Sequence, residues 1–101
     1  MTKPKRQLDL TEGEERGYSD MHGLSTNEQG EKILAGLTVE ESIFVVEHRR
    51  RDLAYRLDDL APRPPKADRL RHQQLADKHE RARVQVLAAE HELRANKPTV
   101  N

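Results

Sequence analysis

An all-α fold built on an antiparallel, coiled-coil-like helical hairpin is the architecture this sequence predicts. Two long stretches carry apolar residues three and four positions apart, and the run Ala61-Pro62-Arg63-Pro64-Pro65 breaks the pattern between them. No stretch alternates apolar and polar residues as a half-buried strand would. A connection this short makes the two long helices antiparallel neighbours.

Residues 1–24 are rich in Gly, Ser, Thr and acids, and their large side chains (Leu8, Leu10, Tyr18, Met21, Leu24) fall at irregular positions. They read as a disordered acidic tail, with too little regular apolar surface to offset the entropy of ordering. The helical domain then spans 25–97. Ser25-Thr26-Asn27-Glu28 has the spacing of a capping box, which opens a short helix over 26–35 that ends at Gly36, where a left-handed residue is needed. Thr38-Val39-Glu40-Glu41 is a second capping box, and its acids favour the positive end of a helix dipole, so the next helix runs over 39–61. Pro62 ends it by removing a donor and disfavouring helix in the residue before it. The last helix runs over 66–96, with Pro98 beyond it.

The seam of the 39–61 helix is Val39, Ile43, Val46, Leu53, Leu57 and Leu60, interrupted at Arg50; that of the 66–96 helix is His72, Leu75, His79, Ala82, Val86, Ala89 and Leu93. Setting residue 60 beside 67 puts Leu53 opposite Leu75 and Val46 opposite Ala82, with Arg50 in reach of Asp77 or Glu80. About eight residues of the last helix then overhang, ~12 Å at 1.5 Å per residue. Ile33, Leu34 and Leu37 are the expected cover for that end.

Composition bounds the functional classes. With 101 residues, 36% charged and 34% apolar, the chain makes one small domain with a modest core. It contains no cysteine, which excludes disulfides and thiolate chemistry and fits a cytoplasmic setting. The longest apolar run, Ile43-Phe44-Val45-Val46, is far short of the ~18 residues that mark a membrane span, and no apolar core follows the basic start as in a secretory signal. The zero net charge is polarised: residues 7–31 carry seven acids against Arg16, and residues 49–71 carry eight bases against four acids. Such a tail can fold over the basic hairpin tip and screen it, although solvated charge blocks in small proteins more often simply solubilise.

Each long helix has a second patch about 150° from its seam, taking 100° per residue. Phe44, His48, Arg51 and Tyr55 form one, and Val84 and Leu87 belong to the other. Amphipathic, aromatic and Arg-bearing patches suit interfaces, so these six residues are the expected partner surface, met by a second copy or another helical protein. The resulting reading is a non-catalytic protein–protein interaction module, an adaptor, assembly or regulatory subunit that forms a homo-oligomer.

The alternative is nucleic-acid binding by Arg49, Arg51, Arg63, Lys66, Arg69 and Arg71, because a row of cations gains affinity by displacing counterions from phosphates. Against it stand the interleaved Asp52, Asp58, Asp59 and Asp68, which include an Asp52–Arg56 pair at helical spacing. An enzyme using Arg50 and Glu47 between helices has least support, since no phosphate loop, activated nucleophile or carboxylate pair accompanies them. No cofactor is expected. Neither is a metal, because His72 and His79 lie two turns apart on one face with no cysteine or seam carboxylate to complete a ligand set.

Overall fold

The structure, a computed structural model, describes residues 6–95. In chain order it has helix α1 (Glu12–Asp20), strands β1 (Leu24–Thr26) and β2 (Lys32–Leu34), helix α2 (Val39–Leu57) and helix α3 (Lys66–Ala95). It is mostly helical, and the all-α expectation is corrected by one small antiparallel strand pair.

The first departure lies within the stretch expected to be disordered. Thr11 and Glu14 form a complete capping box: the Glu14 amide donates to the Thr11 hydroxyl at 3.2 Å and the Thr11 amide to the Glu14 carboxylate at 3.0 Å. α1 follows, and Tyr18 and Leu8 are both buried in the core. Residues 1–5 of the expected tail lie outside the described residues.

The short helix over 26–35 is replaced by the strand pair, with Leu24 opposite Leu34, Ser25 opposite Ile33 and Thr26 opposite Lys32. Asn27 decides this locally. Its side-chain oxygen accepts from the amides of Gln29 (3.0 Å) and Glu31 (2.9 Å), closing a turn that a helix would have to open. Gly30, at φ 77°, supplies the left-handed residue that completes the hairpin. Glu28 therefore sits in a loop rather than capping a helix.

Gly36 does adopt a left-handed φ of 79°, but in the turn Leu34–Leu37, closed by a 3.0 Å bond from the Leu37 amide to the Leu34 carbonyl. A Cβ there would come within 2.4 Å of Ala82 Cβ, so the glycine also allows α3 to approach. The capping box at Thr38 and Glu41 is present as expected, and α2 begins at Val39. α2 stops at Leu57, not at residue 61. Asp58 leaves the helical region, its carboxylate accepts from the Leu60 amide at 3.0 Å, and its carbonyl accepts from the Ala61 amide. α3 begins at Lys66, and residue 96 lies outside the described residues.

The hairpin of α2 and α3 is antiparallel, but by a different face and register. Glu41–Lys78 (3.0 Å), the stacked rings of His48 and His72, and Arg51–Asp68 (3.6 Å) mark the contact. Val46 therefore falls level with the stretch around Gln74 rather than with Ala82, a slip of about two helical turns. α3 presents its expected face, with Leu75 and His79 buried. α2 does not: α3 docks on the face of Phe44, His48 and Arg51, while Ile43 and Val46 turn towards Leu8 and the N-terminal arm.

The core sits around the first half of α2. Leu34, Val45, Val46 and Ser42 are fully buried, with Leu8, Tyr18, Leu37, Ile43 and Leu75 around them. Ser42 ties the layers together, its hydroxyl accepting from the Leu34 amide (2.9 Å) and donating to the Thr38 carbonyl (2.7 Å). Ile33, Leu34 and Leu37 are buried as expected, yet they do not cover the end of α3, where Leu93 is exposed.

Candidate functional site

Three arrangements around α2 bear on function: a joint with α3, a clasp with the N-terminal arm, and an uncovered seam. The joint is aromatic. His48 and His72 stack with ring centroids 4.4 Å apart and planes at 19°, Phe44 lies 6.0 Å beyond His48, and the Arg71 guanidinium covers Phe44 at 4.6 Å. His48 is buried. His48 Nδ1 and His72 Nε2 have no hydrogen-bond partner among the described residues.

Burial lowers the affinity of both imidazoles for a proton. For His48 the Arg51 charge adds to that, with Asp52 and Asp68 opposing; for His72, His48 and Arg49 add and Asp52 opposes. Stacked rings carry their lone pairs in near-parallel planes, so the two do not converge on a common ion. Among the described residues no three His, Asp or Glu side chains form a metal-binding group. His79, the third buried histidine, lies with Nδ1 2.8 Å from the Ala35 carbonyl; the carbonyl can only accept, so Nδ1 carries the hydrogen.

The clasp is ionic. Arg50, expected to reach Asp77 or Glu80 on α3, turns the other way and meets both Glu14 carboxylate oxygens (2.6 and 3.0 Å) and the Asp9 carbonyl (2.8 Å). This guanidinium holds the Glu14 carboxyl down to about 2, against some cost of burial. Glu47 pairs with Arg6 at 2.6 Å. The two groups offered for an inter-helix catalytic site are thus each committed to the N-terminal arm. A concavity of about 330 Å³ beside Gln7 and Leu8 is lined by Glu31 and Lys32 as its charged groups and gathers no acid–base or nucleophile pair.

The uncovered seam is the second half of α2. Leu53 is 56% exposed, Leu57 78% and Leu60, just past the helix end, 92%. Leu70 and Val84, at about half exposure on α3, lie away from this strip on a helical projection.

The expected partner surface is divided by this geometry. Phe44 and His48 do not face outward; they form the joint, and Arg51 there pairs with Asp68. Tyr55 and Val84 remain exposed, and Leu87 is half-buried. Of the candidate phosphate ligands, Arg49 donates to the Tyr18 hydroxyl at 2.7 Å and lies over its ring, Arg51 is paired, and Arg71 covers Phe44. Arg63 and Lys66 are exposed, and Arg69 is half-buried. The Asp52–Arg56 pair forms at 3.1 Å.

Leu8, Tyr18 and the pairing of His48 with His72 escaped the sequence reading. The first two had a signal, since Thr11-Glu12-Gly13-Glu14 obeys the same capping rule that located α2. No described helix is long and apolar enough to cross a membrane. Compared with known proteins, the chain matches no family model, no curated protein and no solved structure.

Proposed function

We propose that this chain is a non-catalytic interaction module, an assembly or regulatory subunit that self-associates through the seam on the second half of α2. The observation that carries this is the exposure of Leu53, Leu57 and Leu60, whose four-and-three spacing continues the seam of Ile43 and Val46. Seam residues at this spacing suit coiled-coil-like packing against another helix. A second copy is the favoured occupant, because a chain with zero net charge and a pI near 7.0 does not repel itself at neutral pH. The cysteine-free sequence suits a cytoplasmic setting. Nucleic-acid binding is the weaker reading, since three of its six cations are engaged within the chain.

Sedimentation of the full chain across a concentration series tests the proposal. The weight-average mass rises towards that of a dimer, and Leu53→Ser with Leu57→Ser weakens association at least about tenfold while leaving the helical circular dichroism unchanged. A chain that stays folded and monomeric throughout the micromolar range overturns it.

A further inference from the structure

The α2–α3 joint is made from titratable groups with no counter-charge to spare. We propose that the stacked pair His48–His72 is a proton-operated latch: uptake of a proton there parts the start of α3 from α2 and uncovers the Phe44 face. The inference stands apart from self-association, since it concerns the opposite side of α2 from Leu53 and Leu57.

Two neutral imidazoles stack well at 4.4 Å, and a proton on either one places a cation in a buried contact. The charged groups around the pair come from both helices. From α2 there are Arg49, Arg51 and Asp52, and from α3 Asp68, Arg69 and Arg71. The two acids are already committed, Asp52 to Arg56 at 3.1 Å and Asp68 to Arg51 at 3.6 Å. Arg49 is held by Tyr18, Arg71 rests on Phe44, and the buried Nε of Arg69 finds no acceptor among the described residues. Among the described residues a new positive charge therefore meets four arginines and two carboxylates that each already hold an arginine.

Among the described residues neither unpartnered ring nitrogen, His48 Nδ1 or His72 Nε2, has an acceptor waiting for an added proton. Opening carries both rings into water, where each is free to hold its proton.

The hinge lies farther along α3. His79 is bonded to the Ala35 carbonyl, and Ala82 packs on Gly36, so this part of the helix is fastened to the turn before α2 independently of the histidine pair. The part in front of it, Asp68 to Leu75, meets α2 through the stack, the Arg51–Asp68 pair, the Arg71 guanidinium on Phe44, and Leu75.

The sign follows from both imidazoles binding a proton less readily when docked than when free. The docked state is favoured in full above the ordinary histidine value of 6.5 and loses ground as pH falls from there through the lowered values. Over that window the open-to-docked ratio rises about tenfold per pH unit for each proton taken up.

Proton NMR of the full chain between about pH 7.5 and about pH 4.5 tests this. Expected are ring protons of His48 and His72 that titrate below the pH of histidine in an unstructured peptide. Ring-to-ring contacts between His48 and His72 disappear with the same midpoint, while Leu34–Val45 contacts persist. A double variant, His48→Phe with His72→Phe, keeps aromatic stacking and shows ring-to-ring contacts between positions 48 and 72 at every pH in the range. The proposal fails if the wild-type rings stay stacked through their titration. It equally fails if they titrate as in an unstructured peptide, or if Leu34–Val45 contacts vanish together with theirs.

Discussion

The two halves of α2 carry the same apolar spacing and meet opposite fates. From Val39 to His48 the helix is buried round more than half its circumference: Phe44 and His48 under α3, Val45 and Ser42 against the strand pair, Ile43 and Val46 against the N-terminal arm. From Leu53 onward the same seam lies open. Periodicity writes a face, but burial depends on what the rest of the chain brings to it. Among the described residues the arm's hydrogen bonds extend along α2 as far as Arg50.

The sharpest way to break that contrast is to remove comparable side chains from each half. Ile43→Ala is expected to destabilise the fold by about 3 kcal/mol, through lost burial and an unfilled cavity. Leu57→Ala is expected to change it by less than about 0.5 kcal/mol at concentrations where the chain is monomeric. Urea unfolding followed by circular dichroism measures both, and equal costs would mean that the seam is covered along its whole length.

Next in size is Ser42→Ala. It leaves the buried Leu34 amide without an acceptor and is expected to cost about 2 kcal/mol, although only one oxygen is removed. A neutral result in the same assay would show that the tie between β2 and α2 is not what distinguishes the first half.

A smaller loss than at Ile43 or Ser42 is expected at the border itself. Glu14→Gln breaks a bridge whose side chains are 25% and 45% exposed, so screening limits the loss to about 1 kcal/mol near neutral pH. The Glu14 carboxyl is held at about 2 when folded against 4.5 as an ordinary carboxyl. Its contribution is therefore present in full above 4.5 and is lost as pH falls from there through about 2. Urea midpoints across that window should fall for the wild type by this additional amount. The variant should lack that part of the slope.

Much of the helical frame was legible. Thr38 and Glu41 located the start of α2, and Pro65 the start of α3. His72, Leu75 and His79 were placed on the correct face of α3. The choice of face on α2 was not legible, because Val39, Ile43 and Val46 make as good a stripe as Phe44, His48 and Tyr55, and helical periodicity ranks neither. Leu8 and Tyr18 decide it, from more than twenty residues away in sequence. The strand pair was hidden for a local reason: Ser25 and Glu28 mimic a helix start, and the competing bonds of Asn27 are equally short in range. At the candidate site, the exposure of Tyr55 and Val84 could be foreseen from single helices. The meeting of His48 with His72 could not, since it depends on a register slipped by about two turns.

A helix laid along the open seam from its free end passes Leu57 and Leu53 and then runs into the Glu14–Arg50 bridge. Between Arg51 and Leu57 it finds ~10 Å of α2. The bridge is thus an end stop, and the N-terminal arm that carries Glu14 sets the length of whatever footprint those leucines can hold.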